Sequence, residues 1–178
     1  MPQLSLPTGI TIEYETFGNA ADPALLLISG FSAQLTSWHE NLCKLFAAQN
    51  FHVIRFDNRA AGLSTRFAHA GVPNLLWQGF RTHLGFPAAP AYSLQDMALD
   101  ALGVLDALHL TRAHVVGMSM GGMIAQRVAL HAPHRVASLC SIMSSSGAPD
   151  LPMPDAKVMQ LLLGKPARPG LEGAIDHT

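Results

Sequence analysis

The chain has 178 residues, a formal net charge of −1 and 13% charged residues, against about 25% in an ordinary globular domain. That length suits one domain with a sizeable core, and near-neutral charge without a basic run argues against nucleic acid, because phosphate binding needs clustered Lys and Arg. Two cysteines without a C-x-x-C leave neither a zinc ribbon nor a redox pair, and no apolar run approaches the ~18 residues of a membrane helix.

Apolar residues make up 49% of the chain. A sheet buried on both faces explains part of that, and a large face meant for more polypeptide explains the rest. Residues 1–9 have no basic region and no apolar stretch of signal-peptide type. A reducing cytoplasm is therefore the expected location, with Cys43 and Cys140, both in apolar segments, expected as buried free thiols.

Residues 10–17 alternate Ile10, Ile12 and Tyr14 with Thr11, Glu13 and Glu15, the pattern of an edge or half-exposed strand. Residues 24–28 are continuously apolar and read as a buried central strand. A loop at Ser29-Gly30-Phe31-Ser32 follows, then a helix over 38–49 with Ser37 as its N-cap. Residues 52–56 read as a short apolar strand ending in Asp57-Asn58-Arg59, with a Gly-Leu-Ser turn at Gly62. Residues 66–91 hold prolines, glycines and aromatics without a steady period, and read as an excursion with a short helix near 74–83. A clean helix runs over 92–108, capped by Ser93, its apolar face marked by Leu94, Met97, Ala101, Leu105 and Leu108.

Gly117-Met118-Ser119-Met120-Gly121-Gly122 comes next. A β-branched apolar run precedes it and a helical run over 123–130 follows, with Pro133 as the stop. A strand, a tight turn and a helix with serine at the apex force that serine to positive φ, and glycines two residues to either side give the turn room. The hydroxyl is thrust out at a helix N-terminus. There the Met120 N–H and the helix dipole can stabilise a developing negative charge. A bare G-x-S-x-G also arises by chance; the strand-then-helix context is what the motif requires. Residues 136–143 form a further strand, and a short amphipathic helix is expected over 155–163. The order of elements predicts an α/β three-layer sandwich, its sheet mostly parallel with an antiparallel start.

Four stretches together resemble the α/β-hydrolase superfamily in its esterase-like branch. The elbow at Ser119 matches G-x-S-x-G-G. Ser29-Gly30-Phe31 sits where the family carries its oxyanion loop. Residues 57–64 match D-x-R-G-x-G-x-S, and residues 129–139, with Pro133, Arg135 and Val136, match the passage from the elbow helix to the sixth strand. The resemblance covers about residues 8–147. Gly30-Phe31-Ser32-Ala33-Gln34 with Asp57-Asn58-Arg59 is similar to a bacterial subgroup, the anthracycline methylesterases. Ser29 stands where the family often has His, and Ala60 where it has Gly, a change expected to alter the shape of the loop without loss of chemistry.

The resemblance implies a serine hydrolase acting on small-molecule carboxylic esters through an acyl-enzyme. Ser119 is then the nucleophile, and the backbone N–H groups of Phe31 and Met120 form the oxyanion hole. No cofactor and no metal is implied. The family orders its triad Ser, acid, His, and the chain stops after about six strands. Residues 1–147 therefore read as the N-terminal part of the hydrolase core and 148–178 as the start of an incomplete cap or lid. The histidine, and with it the acid, is expected on a C-terminal remainder of the same protein.

The nine histidines include none at the family's position, and the H-x-x-H of His131 and His134 reads as solvated helix-end residues. Asp150 reads as a solvent-facing loop residue, and Asp57 as a structural residue that bonds loop N–H groups. Phe31, Leu35, Met118, Met120 and Met153 suggest an apolar mouth, or else plain core. An inactive half that needs a C-terminal piece is a second reading. Perhydrolase, thioesterase and peptidase chemistries share the same catalytic front.

Overall fold

A computed structural model of the chain describes residues 2–67, 90–148, 150, 151, 155, 157 and 158. The chain divides into two units, Met1–Ser146 and Gly147–Thr178, and the sheet belongs to the first. The short helix expected near 74–83, most of that expected over 155–163, and Met153 lie outside the described residues.

Six strands form the sheet: β1 (Gln3–Ser5), β2 (Thr11–Phe17), β3 (Ala24–Ile28), β4 (His52–Phe56), β5 (Ala113–Met118) and β6 (Val136–Ile142). Their order across the sheet is β1-β2-β4-β3-β5-β6. The β1–β2 and β2–β4 pairs are antiparallel, and the remaining pairs are parallel. The expected α/β fold with its antiparallel start is what forms.

β3 is central because all five of its residues can be buried. Its alternate side chains feed two cores. Leu26 and Ile28 join Ile54, Phe56 and Val115 beneath helices α2 (Leu94–Ala107) and α3 (Met120–His131). Leu25 and Leu27 join Val53, Trp38 and Cys43 on the other face, beside α1 (Glu40–Ala48). Full burial of each such aliphatic side chain stabilises by about 1.5–3 kcal/mol, which is why an uninterrupted apolar run seeks the middle of a sheet.

The structure departs from the sequence reading at several points. β1 was not expected: three residues carry no period, and the strand exists only because it pairs with Thr11–Glu13. β2 consequently lies inside the sheet, and Glu13, which alternation places outward, is 1% exposed. Ser37 does not cap α1, since Leu35–Ser37 is a 3-10 turn. His39 takes the cap, its Nδ1 accepting the Asn41 N–H at 3.2 Å.

β4 is less apolar than it reads. Its Arg55 is buried, paired with Glu15 at 2.5 Å, donating to the Trp38 carbonyl and lying over the Phe17 ring. Cys43 is buried as expected, and burial pushes its thiol pKa up, but Cys140 is exposed. The reason is its strand: β6 ends the strand order, and its residues from Ser138 onward are exposed.

α2 begins at a full capping box. Ser93 Oγ accepts the Asp96 N–H at 3.2 Å, while the Asp96 carboxylate accepts from the Ser93 hydroxyl and the Ser93 N–H, both at 2.7 Å, and these last two bonds hold the Asp96 carboxyl below its usual range.

Candidate active site

β5 runs into α3 with no intervening loop, and Ser119 is the residue between them. Its backbone sits at φ 55, ψ −123, a region that costs a non-glycine residue about 1–3 kcal/mol. Surrounding contacts hold it there. The Ser119 N–H donates to the Ile142 carbonyl at 2.9 Å, and its own carbonyl accepts from Gly122 at 2.9 Å. The side chain is exposed.

Each glycine of the elbow stands where a Cβ has no room. At Gly117 it would lie 2.1 Å from the Gly121 carbonyl oxygen, at Gly121 2.2 Å from the Ile28 oxygen, and at Gly122 2.5 Å from Ser144 Cβ. Close packing of β3, β5 and β6 on the first turn of α3 therefore requires all three.

The loop after β3 comes to the serine directly. A Cβ built on Gly30 would meet Ser119 Cβ at 3.2 Å and Oγ at 3.7 Å. Phe31 follows, with its side chain 67% exposed. Phe31 and Met120 line one cavity of about 490 Å³, together with Gln34, Asn58, Tyr92 and Met97. Ser119, Phe31 and Met120 are thus brought to one place, at the C-terminal end of the parallel strands. Leu35 does not belong to an apolar mouth, since it is 2% exposed and part of the core. Met118 packs against the α1-side cluster.

Asp57 is 3% exposed, and its two carboxylate oxygens accept the Leu35 N–H at 2.7 Å and the Leu63 N–H at 2.9 Å. Those are the loop N–H bonds expected of it. Asn58, which sequence reasoning did not single out, donates from Nδ2 to the Ser29 carbonyl at 2.9 Å. Arg59 reaches α2 and grips Asp100 at 2.5 and 2.7 Å; this pairing holds the Arg59 pKa up. The signal for all three was a run of consecutive polar residues at the end of a buried strand. Ala60 adopts φ 65 itself, the left-handed backbone that a glycine takes most easily.

The described histidines are occupied elsewhere or lie elsewhere. His52 and His114 lie at the start of β4 and β5, at the end opposite Ser119, and the exposed His109 follows the last turn of α2. His114 Nδ1 is 2.8 Å from Ser138 Oγ, and His39 serves as a helix cap. His131 ends α3, and His134 lies in the 3-10 turn beyond it; both are exposed. His69, His83 and His177 lie outside the described residues, and Asp150 is exposed. Among the described residues no group of three or more His, Cys, Asp or Glu side chains could hold a metal ion, and no helix is long and apolar enough to cross a membrane.

Known proteins resemble the chain in sequence and in fold. The chain is 36% identical over 162 residues to rhodomycin D methylesterase DauP of Streptomyces sp. (strain C5), covering 91% of this chain and 47% of that protein. It is 34% identical over 128 residues to the putative carbamate hydrolase RutD of Variovorax paradoxus (strain S110), covering 72% of this chain and 40% of that one. Among solved structures, a hydrolase from Pseudomonas aeruginosa PA01 superposes with a TM-score of 0.64 at 28% identity, over 92% of this chain and 53% of that one. The chain spans about half the length of the curated relatives it matches. Residues 23–168 match the family described as alpha/beta hydrolase fold, and the chain belongs to that family.

Proposed function

We propose that this chain carries the nucleophile and the oxyanion hole of a serine esterase acting on small-molecule carboxylic esters. The observation that carries the reading is Ser119 itself, exposed at φ 55 on the first turn of α3, with Gly30 packed against its side chain. A histidine base takes the hydroxyl proton as Oγ attacks the ester carbonyl. The carbonyl oxygen becomes an oxyanion, stabilised by the N–H groups of Phe31 and Met120. Collapse of the tetrahedral adduct expels the alcohol, which takes the proton from the histidine, and water then releases the acid from the acyl-enzyme. Loss of one oxyanion donor typically slows such a reaction about 10²–10³-fold. The methylesterase relatives favour an ester as substrate, and the exposed ring of Phe31 favours an apolar or aromatic one.

The histidine and the acid come, in this reading, from polypeptide outside these 178 residues. The exposed strand β6 favours that arrangement: its residues Leu139, Ile142 and neighbouring Met143 are 41%, 36% and 77% exposed at the end of the sheet. A fluorescent serine-directed phosphonate tests both halves of the proposal. Labelling that Ser119→Ala abolishes establishes the nucleophile. Labelling of the 178-residue chain by itself overturns the view that the base lies outside it. No labelling alone, but labelling in the longer polypeptide, supports that view, and no labelling in either refutes the esterase reading.

A further inference from the structure

The loop that brings Phe31 to Ser119 is held at both ends by two adjacent side chains. At its entry, the Ser29 carbonyl accepts from Asn58 Nδ2 at 2.9 Å. At its exit, the Leu35 N–H donates to Asp57 Oδ1 at 2.7 Å. Between them, the Gly30 carbonyl accepts the Ala33 N–H at 3.4 Å, and Ser29 Oγ donates to the Gln34 carbonyl at 3.3 Å. The Gly30 carbonyl and the Phe31 N–H belong to one peptide plane and point in opposite directions. Turning that carbonyl toward Ala33 aims the Phe31 N–H the other way.

Asp57 and Asn58 are each 3% exposed, and Ser29 is fully buried. Asp57 is in turn fixed by the turn that follows it. Its second oxygen takes the Leu63 N–H at 2.9 Å, its backbone carbonyl takes the Ser64 hydroxyl at 2.7 Å, and a Cβ at Gly62 would lie 1.8 Å from Oδ2. The Ser29 oxygen also lies against α3, since a Cβ at Gly121 would approach it to 2.7 Å. The same carbonyl therefore touches both the donor that orients the loop and the helix that carries the serine.

We infer that Asn58 is a positioning residue for the oxyanion hole: by holding the Ser29 carbonyl it sets the direction of the Phe31 N–H relative to Ser119. Asp57 anchors the far end of the same loop. This rests on the esterase reading for its chemical meaning, but the geometry can be tested without it. In Asn58→Leu the side chain keeps its branched outline, with bulkier methyl groups in place of the amide, and loses the donor. Backbone amide exchange at Ala33, whose N–H bonds the Gly30 carbonyl, is expected to rise about tenfold, while exchange in α2 and α3 stays as it was. Phosphonate labelling of Ser119, in whichever polypeptide labels, is expected to slow about 10–100-fold, the size of effect that a displaced reacting group produces.

Asn58→Asp guards against a variant that does not fold. It has the shape of asparagine but donates only when protonated, so its exchange and labelling relative to the parent protein should recover as pH falls. Unchanged exchange at Ala33 in folded Asn58→Leu overturns the inference, whatever Ser119 does. A parent protein that takes no phosphonate refutes the esterase reading alone, and the exchange data still decide the role of Asn58.

Discussion

Replacing Asp100 by alanine is expected to destabilise the fold by about 3 kcal/mol, and the number follows from what is left behind. The Arg59 and Asp100 side chains are 8% and 2% exposed, joined by a two-pronged contact of Nε to Oδ2 at 2.5 Å and Nη2 to Oδ1 at 2.7 Å. Truncating one partner of a buried pair costs about 3–5 kcal/mol, because the other charge stays out of water unpaired. Arg59 retains a hydrogen bond to the Asp96 carbonyl at 3.3 Å, and its guanidinium lies 5.9 Å from the Phe67 ring centre and 5.7 Å from that of Tyr92. Those contacts offset part of the loss, so the lower end of the range applies. In thermal unfolding this is a fall of roughly 6–12 °C for a chain of this size. Urea unfolding of Arg59→Met, Asp100→Leu and the double variant completes the cycle. The double variant should recover most of the loss, since an apolar pair of similar volume can replace a buried ion pair with little penalty. A folded Asp100→Ala protein within about 1 kcal/mol of the parent would refute the reasoning.

Three further outcomes follow from the structure. Ala60→Gly relieves a left-handed backbone at φ 65 and should raise stability by about 1 kcal/mol, read as a shift in urea midpoint at constant slope. His52 is 6% exposed and burial lowers its pKa below the usual 6.5, so the unfolded chain binds the proton first as pH drops. Its contribution is complete above that value and is lost below it, and His52→Val should flatten the fall in melting temperature between pH 7 and about 5. Cys140→Lys puts a charge on the exposed strand β6 and should reduce self-association of the 178-residue chain, measured by light scattering at about 50 μM; a chain that is monomeric with or without the lysine would contradict the exposed-edge argument.

What could be read from the sequence was whatever neighbours in the chain decide. Residues 24–28 and 52–56 were placed to the residue, because continuous apolar runs between turn formers leave little choice. The cap at Ser93 was legible as a serine before an apolar period, and the elbow as a motif in its strand-to-helix setting. What escaped depends on partners far along the chain. β1 is a strand only beside β2, and Glu13 is buried on a strand flanked by β1 and β4, with Ser64 accepting its backbone N–H at 2.9 Å. Asn58 meets Ser29 across 29 positions, a contact that no local pattern announces. Leu35 looked like part of the mouth because it follows the proposed oxyanion loop in sequence, yet its N–H bonds Asp57 and its side chain lies in the core.

The same distinction explains how half the length of its relatives can hold so well-defined an elbow. Among the described residues, Ser119 is shaped by β5 and α3 on either side, β3 pressed on Gly121, β6 bonding the serine N–H, and the end of β4 holding the adjoining loop. Those contacts sit at the buried middle of the sheet, where β3 and β4 are closed on both faces. Burial falls away toward both edges, at the three-residue β1 and at β6, which carries no charge and whose last five residues are exposed. An apolar, uncharged edge is unfavourable in water and is ordinarily covered, so the exposed apolar surface of β6 lies at the rim of the sheet and not at the serine. The positioning of the proposed nucleophile is thus a property of this half of the fold, while proton transfer to a base requires groups that the described residues do not bring to it.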